Sequence, residues 1–145
     1  MSTNLQTNYT VNMSQPAVAS LLNTISELDS GKTIIVLAQG AIQTYTLPAA
    51  KLGLRYRFLV GSALVAFNVT IASAVTGAIY GTFLNLTPGA AGVCVVTATQ
   101  TGPSNSVVIT AAARLGDYVD MNCDGTFWYV SGLSTAAADL HKLFI

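Results

Sequence analysis

Hydrophobic residues follow two different rhythms along this chain. Between residues 16 and 29, Val18, Leu21, Leu22, Ile25 and Leu28 recur at spacings of three and four, the interval that gathers side chains on one face of an α-helix. Ser14 can cap such a helix, Pro16 suits its first turn and Gly31 can end it. The spacing therefore predicts a short helix over 16–29. Residues 1–15 are polar and rich in Asn and Thr, and read as an arm.

From Lys32 the rhythm changes to short runs rich in Val, Ile, Thr, Tyr and Phe, separated by Gly, Pro, Asn and Asp, as in all-β sandwiches and barrels. Strands are predicted over 33–38, 42–47, 54–60, 69–72, 78–84, 92–97, 106–110, 118–123 and 127–131. Turn chemistry parts them at Leu47-Pro48-Ala49-Ala50, Thr87-Pro88-Gly89, Gly102-Pro103-Ser104-Asn105 and Asp124-Gly125. Asp124 and Gly125 both tolerate the positive φ that a tight hairpin demands. Ile34-Ile35-Val36-Leu37 and Val93-Cys94-Val95-Val96 are apolar without alternation, so both faces of those strands are expected to be covered. With few helices to do so, a neighbouring subunit is the expected cover. No short repeat of fixed period points to a solenoid or propeller. The chain divides into an arm with a short helix (1–31), a β domain (32–133) and a tail (134–145).

Composition sharpens this picture. A chain of 145 residues fits one domain. Hydrophobic residues make up 52% and charged residues 8%, against roughly a quarter charged in average soluble domains. Mixed surface charge keeps small domains dispersed, so so little of it points to self-assembly. Six basic and six acidic residues cancel, leaving no electrostatic footprint for a phosphate backbone, and nucleic acid is not an expected partner. Residues 1–15 lack the basic and then apolar pattern of a secretion signal, so no export is expected. The apolar run 58–67 is broken by Gly61 and Ser62 and is too short to cross a bilayer. Cys94 and Cys123 are too few for a disulfide scaffold or a four-ligand zinc site; they read as buried thiols, with a bridge as the alternative. The sequons at Asn8, Asn12, Asn68 and Asn85 would matter only in a secreted protein.

The chemical inventory is thin. One histidine, His141, sits near the C-terminus and reads as a surface residue. Asp117, Asp120 and Asp124 are spaced by three and four, but not as an EF-hand loop, and turn capping and edge protection account for them. Neither a Gly-x-Ser-x-Gly elbow nor a phosphate-binding glycine loop occurs. No catalytic residue, cofactor or metal is therefore assigned, and the chain is not expected to be an enzyme. Arg55, Tyr56, Arg57 and Phe58 form one local basic and aromatic cluster, too small for a single-strand nucleic-acid groove; these residues read as cover for a sheet rim. Trp128 and Tyr129 follow the Asp-Gly turn, where aromatics anchor a hairpin on a core or enter a sugar or partner site.

The stretch Tyr45-Thr46-Leu47-Pro48-Ala49-Ala50-Lys51-Leu52-Gly53-Leu54-Arg55-Tyr56-Arg57-Phe58-Leu59-Val60 has the form Leu-Pro-x-Ala, spacer, Gly, aromatic strand. It is followed in order by Asn68-Val69-Thr70-Ile71, Gly77-Ala78-Ile79-Tyr80-Gly81, Gly116-Asp117-Tyr118-Val119 and the run from Asp124-Gly125 to Gly132. This series, spanning 44–132, resembles structural proteins of tailed phages and other viruses. The resemblance implies an antiparallel β-sandwich of jelly-roll type, often trimeric, acting as a capsid decoration or cement protein on the virion surface. Its partners would be copies of itself and the major capsid protein lattice. Interface residues are then expected in the arm (Tyr9), the helix (Leu21, Leu22, Ile25), the tail (Leu140, Leu143, Phe144) and at Trp128. The rival reading is a tail-fibre or spike head that recognises a host glycan or receptor through loops around Trp128 and 101–105.

Overall fold

The computed structural model describes residues 20–64, 66–76, 78–88, 94–135 and 141–144. Among the described residues eleven strands follow one another: β1 (Ser20–Thr24), β2 (Thr33–Val36), β3 (Ile42–Thr46), β4 (Arg55–Val60), β5 (Val69–Ala72), β6 (Ile79–Pro88), β7 (Cys94–Ser104), β8 (Ser106–Ile109), β9 (Tyr118–Cys123), β10 (Trp128–Ser134) and β11 (His141–Phe144). They form a five-stranded sheet in the order β1-β3-β5-β8-β11 and a six-stranded sheet in the order β2-β4-β9-β10-β6-β7. Each strand predicted between 33 and 131 has its counterpart, and the fold is all-β.

The helix predicted over 16–29 is not formed within its described part. Residues 20–24 are β1, paired in parallel with β3 from Ser20↔Ile42 to Thr24↔Thr46, and helical geometry is confined to one 3-10 turn, Glu27–Asp29. Three-and-four spacing is a weak signal over so short a stretch, and Ser20, Asn23, Thr24 and Ser26 compete with helix interiors through their own side chains. The ladder with β3 supplies partners along one side of β1, whereas a short isolated helix is marginal. β1 and β11, which lie outside residues 32–133, belong to the five-stranded sheet.

Asp29 fixes the turn that follows β1. Its Oδ2 accepts from Ser26 N at 3.0 Å and Ser26 Oγ at 2.7 Å, and its Oδ1 accepts from Lys32 Nζ at 2.8 Å. The Lys32 ammonium, then Ser26, hold its carboxyl down to about 2. A carboxyl lowered on folding stabilises the fold above its unfolded value, about 4, and that contribution disappears as pH falls toward about 2. Because the pair is partly solvated, the effect is expected to be about 1 kcal/mol or less. Urea midpoints measured between these pH values should fall less steeply for Asp29→Asn than for the wild type.

The expected antiparallel arrangement is corrected. The pairs β1–β3, β3–β5, β2–β4 and β6–β10 are parallel, so the sheets are mixed and do not match the antiparallel pattern of a jelly roll. The cause is the path of the chain. From β1 to β6 successive strands alternate between the two sheets, so a strand reaches its neighbour only after crossing the other sheet and returns in the same direction. This crossing does the job that a helix does in most parallel sheets. The hairpin β9–β10 then inserts between β4 and β6.

Side chains from both sheets meet in one hydrophobic cluster: Ile34, Tyr56, Phe58, Val119, Met121, Trp128, Ile79 and Phe83 from one, Tyr45, Val69, Ile71, Val107 and Ile109 from the other. Tyr45 meets Phe58 edge-on with ring centroids 5.4 Å apart, and Trp128 lies 5.8 Å from Tyr56. Gly132 is required by this packing, because a Cβ there would stand 2.7 Å from both Phe83 Cδ1 and the Tyr118 carbonyl oxygen. Pro103, inside β7, lacks the N–H that a ladder needs. The β6–β7 register shifts between Ile79 and Gly81, opposite this point, so Gly102-Pro103-Ser104 forms a bulged strand where a turn was predicted.

Candidate functional site

The face of the six-stranded sheet turned away from the core carries rows of polar and half-exposed side chains. Alternation in β4, β9 and β10 buries every second residue, and ladder register aligns the others into rows across the strands. Arg55, Asn122, Tyr129 and Tyr80 form one row; Thr33, Arg57, Asp120, Ser131 and Thr82 form the next; Ile35, Leu59, Tyr118, Leu133 and Leu84 form the third. The face is thus polar at one end and apolar at the other.

At the polar end lies an open groove of about 370 Å³ lined by Gly31, Lys32, Thr33, Arg55, Tyr56, Arg57, Asp120, Asn122 and Ser131. Arg57 binds Asp120 through two parallel bonds, Nε to Oδ1 at 2.6 Å and Nη2 to Oδ2 at 2.5 Å. Its guanidinium also sits 4.8 Å from the centre of the Tyr118 ring. The Asp120 carboxylate holds the Arg57 guanidinium above its ordinary value. Lys32 is paired with Asp29. Arg55 alone of the three lining cations has no carboxylate partner among the described residues, and its Nε lies over the turn at Gly31, 4.0 Å from where a Cβ would stand.

Beside the groove, Tyr129 is 47% exposed. Its hydroxyl donates to Asp124 Oδ2 at 3.0 Å, and that carboxylate pushes the phenol up. Tyr80 stacks edge-on against Phe127 at 5.2 Å. Asp124 owes its own lowered value to the backbone N–H groups of Phe127 and Thr126, which donate to Oδ1 at 2.7 and 2.8 Å. The β9–β10 loop is therefore built on the Asp124 side chain, with positive φ at Gly125.

The apolar end has a different character. Ile35 and Leu37 fold over Gly61, where a Cβ would meet Ile35 Cγ2 and approach Leu37 Cδ2 at 3.0 Å. Leu59, Tyr118 and Leu133 are half-buried and Leu84 is 42% exposed. The unalternating run Ile34 to Leu37 is thus covered on the core side, while its other face opens onto this row.

Of the interface residues expected from the sequence, Trp128 and Ile25 are core residues, with relative exposures of 0% and 5%, and neither offers its side chain to a partner. Leu21 and Leu22 lie in β1, and Leu143 and Phe144 lie in β11, paired with Val107 and Ser106 of β8. Tyr9 and Leu140 lie outside the described residues. Arg55 and Arg57 stand on the second strand of the sheet, in its interior and not on its rim, while Tyr56 and Phe58 point into the core. Sequence reasoning passed over Asn122, Ser131 and Thr33, whose proximity depends on non-local pairing.

The three aspartates are separated by function. Asp117 is fully buried and accepts from Arg114 N, Thr135 N and Thr135 Oγ1 at 2.9 Å and from Ser134 Oγ at 3.3 Å. Asp120 holds Arg57, and Asp124 caps its own loop. No group of metal-ligating side chains occurs among the described residues, and no helix among them is long and apolar enough to cross a membrane. Cys123 is a buried free thiol. Comparison of the chain with protein-family models, curated proteins and solved structures finds no match.

Proposed function

We propose that this chain is a non-enzymatic structural subunit, a two-sheet β-sandwich that associates with copies of itself through the apolar end of its six-stranded sheet. The observation that carries this reading is the row Ile35, Leu59, Tyr118, Leu133 and Leu84, aligned by register over five neighbouring strands. At about 4.8 Å per strand it extends about 19 Å. Contiguous apolar surface of this kind marks association sites, and a chain with 8% charged residues has little else to keep its copies apart. Burying such side chains on association contributes about 25 cal/mol for each Å² removed from water.

The finer proposal follows the resemblance of residues 44–132 to virion structural proteins: a homotrimer that decorates the capsid surface by binding the major capsid protein lattice. Three weak contacts from one rigid trimer raise avidity by roughly a hundredfold or more, so an almost uncharged module can hold a shell. Sedimentation velocity tests the assembly. The wild type is expected to run as a multimer and Leu133→Lys as a single subunit with unchanged circular dichroism. A wild type that remains a single subunit at high concentration removes the basis of the proposal. Copy number in purified particles tests the decoration role: many copies per particle support it, and a handful points to a tail or vertex component.

A further inference from the structure

We propose that the polar groove of the six-stranded sheet is a binding site for a carboxylated saccharide, with Arg55 receiving the carboxylate. This goes beyond self-association, which uses the other end of the same face. Arg55 and Leu59 are four residues apart on β4, about 13 Å at strand rise, so Arg55 and its neighbour Asn122 stand clear of the apolar row.

Charge and chemistry define the ligand. With Arg57 held by Asp120 and Lys32 by Asp29, the uncompensated cation is Arg55, and one fixed positive charge matches a monoanion. A guanidinium presents parallel donors to a planar carboxylate. Around it stand Asn122, Thr33 and Ser131, groups that both donate and accept and so suit a hydroxyl-rich ligand. Tyr129, the cross-strand neighbour of Asn122, extends the groove with a half-exposed ring held in place by Asp124, a surface on which the C–H face of a sugar packs. A peptide is a poorer fit. The backbone groups of β4, β9 and β10 are engaged by strands on both sides, which leaves no main-chain partners for an extended chain.

The test is titration of the full-length protein, followed by NMR, with sialyllactose and trigalacturonate, against lactose and trigalactose as neutral counterparts. The acidic sugars are expected to bind at least about tenfold more tightly than the neutral ones and to shift the amides of Arg55, Asn122 and Ser131. Arg55→Gln should reduce them to the neutral level while Arg55→Lys recovers part of the preference. Ser131→Leu fills the groove from an exposed position and should abolish binding of both classes with unchanged circular dichroism. Equal binding of acidic and neutral sugars, or an acidic preference that survives Arg55→Gln, overturns the assignment. So does absence of binding to any of the four. Inorganic phosphate or a short single-stranded oligonucleotide that competes more strongly than sialyllactose would show a general anion or nucleic-acid site instead.

Discussion

Trp128→Ala is expected to destabilise the fold by about 3–5 kcal/mol, the range for emptying an aromatic site in a core. The indole is fully buried, the largest such side chain in the fold, and it packs against Tyr56 where β10 crosses the middle of the six-stranded sheet. Loss of the ring leaves a cavity bordered by β4, β6 and β9, whose ladders limit how far the walls can close. Trp128→Phe should cost about 1–2 kcal/mol. It keeps most of the packing, and no hydrogen bond is lost because the indole N–H has no partner among the described residues. Urea unfolding followed by circular dichroism is the appropriate measurement, since Trp128 is the sole tryptophan and the variants remove the fluorophore. A cost below about 1 kcal/mol for Trp128→Ala is incompatible with a buried ring.

The second large effect is expected at Asp117. Its carboxylate joins the loop before β9 to the end of β10 through Arg114, Ser134 and Thr135. Its backbone ties the same loop to β4, its carbonyl accepting from Val60 N at 2.8 Å while Gly116 N donates to the Val60 carbonyl at 2.9 Å. Asp117→Ala strands these donors in a closed site, and each buried donor left unsatisfied costs about 1–3 kcal/mol. A loss of about 3 kcal/mol or more is expected, with relaxation of the loop absorbing the rest. Asp117→Asn should fall between, because its amide nitrogen turns a donor toward the Thr135 N–H or the Arg114 N–H. Asp120→Ala is the matched control: its ion pair is solvent-facing, Arg57 being 50% exposed, and such pairs contribute about 1 kcal/mol or less. If the two alanine variants unfold at the same urea concentration, the buried clamp is not holding the loop.

Arg55 and Asn122 show why the groove escaped the sequence. They are 67 positions apart, the difference between their residue numbers, and they become neighbours only through the β4–β9 ladder. Neither residue type is informative by itself. Arg55 read as part of a local basic and aromatic cluster, a grouping that mixes two faces: Arg55 and Arg57 leave the core while Tyr56 and Phe58 enter it. The alternation that separates them is visible in the sequence, but its sign relative to the core is not. Trp128 was ambiguous for the same reason. Its burial follows from the phase of β10, in which Trp128, Val130 and Gly132 face inward and Tyr129 and Ser131 outward.

What the sequence by itself determined is local. Runs of β-branched and aromatic residues bounded by Gly, Pro, Asn and Asp placed the strands between residues 33 and 131, because strand propensity and turn chemistry act over a few neighbouring residues. What only the tertiary structure decided is pairing. Residues 20–24 became a strand because β3 offered them a ladder, short connections crossed between sheets and made neighbours parallel, and register lined Arg55 with Asn122 and Leu59 with Leu133. Each of these outcomes depends on contacts between residues distant in the chain, whose energies no local pattern of apolar and polar positions contains.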